Sequence, residues 1–135
     1  MWGTSDQRKQ LRVVDMGAKG RGVVAAQDIP KGELIERSPV LVIPHAERAV
    51  VDPSIIFTYI FMWEKNRVEE DLYKHEGRAG IVLGYTSLLN HSYSPNADYI
   101  HHIDEQMLDV FALRDIATGE EITIDYKMTL WFDVV

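Results

Sequence analysis

Leu88-Leu89-Asn90-His91-Ser92-Tyr93-Ser94-Pro95-Asn96-Ala97 is the stretch from which the fold is read. Two apolar residues run into a segment that is almost wholly polar, small or turn-forming. Short Asn and Ser side chains bond nearby backbone and Pro presets φ, so this composition calls for irregular backbone. Asn90 and Asn96 each offer two donors and an amide oxygen, and His91 adds a ring. Such side chains suit the bracing of crossed segments, or the presentation of backbone groups to a ligand. An ordinary surface loop has the same composition, so the stretch needs a second one to decide its role.

That second stretch is Gly119-Glu120-Glu121-Ile122-Thr123-Ile124-Asp125-Tyr126, a turn followed by a short alternating strand. With a side-chain period of two, Ile122, Ile124 and Tyr126 share one face, while Thr123 and Asp125 share the other. Tyr126 therefore ends the strand beside two core isoleucines, with a phenol that needs a partner when buried. Asn-His-Ser-x-x-Pro-Asn, followed about one hairpin later by Gly-Glu-Glu-Ile-Thr-x-Asp-Tyr, resembles the paired signature of SET-domain protein-lysine methyltransferases. Gly20-Arg21-Gly22 resembles the Gly-x-Gly element of the same family, in the expected order. The resemblance spans residues 11–131. The two long motifs are specific; Gly-x-Gly alone is not.

The resemblance implies a mostly β SET-domain fold of several small curved sheets, with the C-terminal segment passing through a loop as a pseudoknot. It implies S-adenosylmethionine as cofactor, S-adenosylhomocysteine as product, and methyl transfer to a lysine side-chain amine by in-line displacement. By the same carry-over, Asn90 and His91 line the cofactor site, together with the loop Lys19, Gly20, Arg21 and Gly22. Lys19 or Arg21 would meet the cofactor carboxylate, as a cation should. Trp131 would pack on the cofactor. Tyr126 would orient the amine or the methyl group, Tyr59 would be a second phenol, and Tyr85 and Met128 would line the substrate channel. Free lysine titrates near ~10.4, so the channel must favour the neutral amine, which desolvation and the sulfonium charge both do.

Departures from the family pattern also matter. Tyr93 stands where many eukaryotic members carry Cys, and no zinc-binding cysteine cluster follows the domain. Residues 127–135 must then complete the site without metal, as in minimal stand-alone bacterial and viral members. Met128 stands two places after the tyrosine, where many members carry Phe or Tyr. A mobile thioether, with no donor, should hold a water poorly and leave room for dimethyl or trimethyl product.

Composition bounds the rest. A chain of 135 residues is one domain that buries about two-thirds of its unfolded surface. With 46% hydrophobic and 10% aromatic residues it has the means for a packed core. No apolar run reaches the ~18 residues that span a bilayer, since Thr58 breaks the longest and Glu64 and Lys65 close it. Met1 to Asp6 lacks the basic-then-apolar pattern of a signal peptide. The expectation is a soluble intracellular protein without membrane association, cytoplasmic, or nuclear if it acts on host chromatin. The net charge of −7 disfavours direct nucleic-acid binding and favours a basic, lysine-containing protein or peptide partner, although it also serves solubility. Zero cysteines exclude disulfides, cysteine–zinc sites and cysteine nucleophiles. His45, His75, His101 and His102 form no metal-ligand pattern, because adjacent strand residues point to opposite faces. A homodimer would cover the apolar edges that a lone minimal domain leaves.

Along the chain, residues 1–10 should fray and residues 11–135 should form the single domain. Leu11–Val14 reads as a strand and Gly17–Gly22 as a glycine-rich loop. A phosphate-binding reading of that loop needs a helix after the glycines. Val23–Ile29 is too short and β-branched for one, and reads as a strand. Strands over Glu33–Ile43 should break at Pro39, and residues 44–51 form a loop or short helical turn. Asp52-Pro53 could start a helix, yet the β-branched and aromatic run favours a strand over residues 57–62. Residues 66–78 read as charged and solvated. Ile81–Leu83 is a short strand, and residues 98–102 and 107–113 form a hairpin. Two rival functions stand beside the enzyme: a catalytically inactive SET-fold interaction module, and a nucleotide-binding protein using the Gly17–Gly22 loop.

Overall fold

The computed structural model describes residues 11–63 and 78–126. Its first unit is a hairpin of β1 (Leu11–Asp15) and β2 (Arg21–Ala25), joined through a 3₁₀ turn at Gly17–Lys19. A strand follows the glycines, as their β-branched sequel requires, and it begins already at Arg21. β3 (Leu34–Ile43) is the long strand of the main sheet. It is followed by a 3₁₀ turn at His45–Glu47, a single helical turn α1 (Arg48–Val51), and the 3₁₀ helix Ile55–Tyr59. The remaining strands are β4 (Phe61–Met62), β5 (Ala79–Val82), β6 (Asn90–His91), β7 (Ala97–His102), β8 (Met107–Ala112) and β9 (Thr123–Ile124). The protein is mostly β, as expected.

The five-stranded sheet runs β4-β5-β3-β8-β7, all antiparallel, and β6 pairs with β9 in a separate parallel contact. Two readings of this region need correction. β3 does not break at Pro39; it changes partner there, pairing with β8 through Pro39 and with β5 from Val40 onward. A residue without an N–H is tolerated at such a change of ladder. Residues 57–62 are not one strand either. Ser54 caps the start of a 3₁₀ helix by accepting from the Ile56 N–H over 3.2 Å, and only Phe61 and Met62 join the sheet. Asp52 likewise closes α1, its N–H donating to the Arg48 carbonyl, rather than opening a helix.

The core gathers Val23, Ile35, Trp63, Leu108, Val110, Ile122 and Ile124, with Tyr85 and Tyr126 packed against it. The alternation read at the C-terminal strand holds: Ile122 and Ile124 are fully buried and Tyr126 packs on the same cluster. Opposite-face placement of the paired histidines also holds. His101 reaches the Met62 carbonyl and the ring of Trp63, while His102 bonds Asp109, which Arg37 grips with two hydrogen bonds. Among the described residues no helix is long and apolar enough to cross a membrane.

Candidate functional site

The site grows from the point where β6 and β9 meet. Asn90 aligns with Thr123 and His91 with Ile124, and the Ser92 N–H donates to the Ile124 carbonyl over 2.9 Å. Asn96, 2% exposed, clasps the crossing from one side. Its Nδ2 donates to the Glu121 carbonyl at 2.8 Å and its Oδ1 accepts from the Thr123 N–H at 2.9 Å. Both amide groups of a buried side chain are thereby matched to backbone, so the two motifs hold each other.

His91 is the buried hinge of this crossing. Its Nδ1 accepts the Tyr126 N–H at 2.9 Å, so the neutral ring carries its hydrogen on Nε2. Nε2 is buried with no hydrogen-bond partner among the described residues. Burial lowers the His91 pKa below its ordinary value, and the Asp125 carboxylate, 3.7 Å away, pulls it back up in part. The ring meets Tyr93 edge-on at 4.5 Å and Tyr126 at 5.0 Å.

Tyr126 is held at three points. Its hydroxyl donates to the Leu89 carbonyl at 2.8 Å, its N–H to His91, and its carbonyl accepts from the Tyr99 hydroxyl at 3.3 Å. Burial pushes the Tyr126 phenol up to about 12, and it pushes the Tyr99 phenol higher still. Both phenols are therefore neutral across the physiological range.

The Gly-x-Gly stretch joins from a third part of the chain. Gly20 has φ +80°, which an L side chain rarely adopts. Gly22 is required by closeness instead: a Cβ there would lie 2.7 Å from Met16 Cγ, 2.8 Å from Asn90 Nδ2 and 2.9 Å from Glu121 Oε2. Asn90 Nδ2 donates to Glu121 Oε2 at 2.8 Å and to the Arg21 carbonyl at 3.2 Å. The Lys19 ammonium sits 2.7 Å from Glu121 Oε1. Lys19, Gly20, Arg21, Gly22, Asn90 and His91 thus converge, with Tyr126 adjoining them. Arg21 is exposed at the start of β2.

Tyr85 opens the 3₁₀ helix Tyr85–Leu88 that leads into β6, and packs against the same core as Tyr126. Tyr59 ends its own 3₁₀ helix, and the phenol bonded to Tyr126 is Tyr99. Met128 and Trp131 lie outside the described residues, as do residues 1–10 and nearly all of the charged stretch 66–78.

Three site residues escaped the sequence reading. Tyr99 had a signal, since it alternates with Ala97 on the inward face of β7. Glu121 had a weaker one, because of two adjacent glutamates one must face inward. Glu36 had none beyond being a lone acid in an apolar strand. It is 3% exposed, and its carboxylate accepts from the Tyr85 N–H, the Thr86 N–H and the Thr86 hydroxyl. It therefore holds the turn that aims the chain into Asn90.

This constellation coincides with a family match: the SET-domain model covers residues 20–127. The chain belongs to the SET-domain family. A fission-yeast (Schizosaccharomyces pombe) protein named histone-lysine N-methyltransferase, H3 lysine-37 specific, is 32% identical over 93% of this chain and 79% of its own length. A Candida albicans H3 lysine-36 specific enzyme is 30% identical, and there this SET domain spans only 14% of the relative. Among solved structures, a Plasmodium falciparum candidate histone methyltransferase superposes with a TM-score of 0.64 at 25% identity, covering 93% of this chain and 99% of that one. The Neurospora SET-domain protein DIM-5, a histone lysine methyltransferase, matches in fold with a TM-score of 0.61 at 23% identity, over 93% of this chain and 55% of its own.

Proposed function

We propose that this SET domain is an S-adenosylmethionine-dependent protein-lysine N-methyltransferase acting on a basic protein or peptide. The observation that carries the reading is the anchoring of a neutral Tyr126 phenol to the backbone immediately before Asn90 and His91. The donor set fits the cofactor. An amino-acid tail bearing both charges needs a cation and an acceptor, which Lys19 or Arg21 and the Asn90 amide supply. A nucleoside needs donors, and the buried His91 Nε2–H is one without a partner among the described residues. When bound, the cofactor would supply a sulfonium methyl group and leave as S-adenosylhomocysteine.

The chain's own residues do the rest. With its O–H donated in a hydrogen bond to the Leu89 carbonyl, the Tyr126 oxygen is turned so that its acceptor side orients an incoming amine. A phenol titrating at about 12 is no base at neutral pH, so the amine must arrive neutral. Tyr85, Tyr99 and Tyr126 make a surrounding that disfavours an ammonium by desolvation. Holding amine and methyl in line supplies much of the acceleration. We read the β6–β9 crossing as the base of the pseudoknot, with Trp131 and Met128 completing cofactor site and channel. The net charge of −7 favours encounter with lysine-rich protein.

The test is transfer of labelled methyl from S-adenosylmethionine to a panel of basic proteins, with digestion and mass spectrometry of the product. Methyl-lysine is the expected product. Cofactor binding without transfer to any basic protein would point to the non-catalytic interaction module instead.

A further inference from the structure

We propose that Glu121 is a positioning residue of the cofactor site, acting through Asn90. This deepens the cofactor reading above and rests on it. The side-chain amide of Asn90 has two hydrogens on Nδ2 and an acceptor oxygen. Nδ2 faces Glu121 Oε2 at 2.8 Å and the Arg21 carbonyl at 3.2 Å. Both of those atoms only accept, which fixes the nitrogen on their side and settles an amide orientation that geometry alone leaves open. Oδ1 remains as the group the amide presents, an acceptor. An acceptor recognises the α-ammonium of the cofactor tail and repels its carboxylate.

The Glu121 carboxylate is in turn over-determined. Its side chain is 14% exposed, its other oxygen takes the Lys19 ammonium at 2.7 Å, and its backbone carbonyl is held by Asn96. It lies 2.9 Å from where a Cβ on Gly22 would be, so no wider side chain fits between it and the Gly-x-Gly strand. One carboxylate therefore ties the loop before β2, the start of β6 and the entry to β9 into a single unit, and sets which end of the Asn90 amide is on offer. Glu120, its neighbour, turns away to Arg114 and serves as the built-in contrast.

The experiment is a double-mutant cycle read by calorimetry of S-adenosylhomocysteine binding, using wild type, Glu121→Gln, Asn90→Ala and the double variant. A glutamine keeps the size of the side chain but offers only one acceptor oxygen to the two donors, Lys19 and Asn90. Glu121→Gln should weaken binding at least tenfold, and should add less than twofold in the Asn90→Ala background. Additive losses, or binding like wild type in Glu121→Gln, would overturn the role while leaving the cofactor reading intact. No binding by the wild type would overturn both. Should Glu121→Gln fail to fold, the Asn90 side-chain amide signals of the wild type decide by NMR. Both protons should stay protected from exchange with and without S-adenosylhomocysteine; loss of protection on binding would overturn the proposal.

Discussion

The hydroxyl of Tyr126 donates to the carbonyl oxygen of Leu89 over 2.8 Å, tying the end of one family motif to the residue before the other. The bond does two things at once. It satisfies a buried carbonyl in an irregular segment, and it fixes the position of the phenol oxygen. Tyr126→Phe removes only the hydroxyl, so the expected loss of stability is that of one hydrogen bond, about 1 kcal/mol. Thermal unfolding should show a drop of a few degrees, and calorimetry should show S-adenosylhomocysteine affinity within threefold of wild type. A variant that unfolds at room temperature would assign the hydroxyl a structural role first.

His91 should make stability depend on pH. Its folded pKa lies below the ordinary value of 6.5, because burial disfavours the charged ring and Asp125 restores only part. Below about pH 6.5 the unfolded chain then binds more protons than the folded one. Stability should be constant above that point and should fall as pH drops from 6.5 through the lowered folded value. His91→Gln offers an oxygen to the same Tyr126 N–H and cannot titrate. Melting temperatures of the two proteins from pH 7 to 5 should converge as pH falls, and parallel curves would contradict the assignment.

Gly22→Ala should be among the most damaging single-methyl changes. The new Cβ would lie under 3.0 Å from Met16, Asn90 and Glu121 together. Overpacking of this kind costs about 1–3 kcal/mol. Cofactor affinity should fall with it, because two of the three displaced groups belong to the Asn90 clasp. Gly20→Ala has open space around it and strains only the backbone. Denaturant unfolding and S-adenosylhomocysteine titration of both variants check the contrast: Gly22→Ala should lose more affinity than Gly20→Ala.

Glu36→Gln tests the turn before β6. The carboxylate takes three donors, from Tyr85 N–H, Thr86 N–H and Thr86 Oγ1–H. An amide turns one of its own donors toward this set and leaves a buried group unmatched, at about 1–3 kcal/mol. The expected result is a lower melting temperature and weaker cofactor binding, without loss of the fold by circular dichroism. Unchanged stability would mean that the turn holds itself.

Local chemistry made the hairpin β7–β8, the strand after the glycines and the inward face of Ile122, Ile124 and Tyr126 legible in the sequence. Each depends on period-two alternation or on a turn residue nearby. Bracing by Asn90 and Asn96 was legible as one of the uses such amides have, once the second motif was read beside the first. What stayed hidden depends on distant partners. Pro39 reads as a strand breaker until β8 and β5 are both seen to use β3, and residues 57–62 read as strand until Ser54 is seen to cap a 3₁₀ helix over Ile55–Tyr59. The partners of Glu36 and Glu121 could not be read locally, since their donors lie 49 or more and 31 or more residues away. Tyr99 could have been found from alternation, but its tie to the Tyr126 carbonyl could not.

The most direct test is single-turnover methyl transfer, wild type against Tyr126→Phe, with saturating S-adenosylmethionine and a lysine-rich protein found active in the panel. The wild type should form methyl-lysine at a rate that rises with pH as the substrate amine loses its proton, since Tyr126 stays protonated up to about 12. Tyr126→Phe, folded and still binding cofactor, should be at least a hundredfold slower, about 2.7 kcal/mol in the barrier. Equal rates in the two proteins, or no methyl-lysine from a wild type that binds the cofactor, would contradict the account.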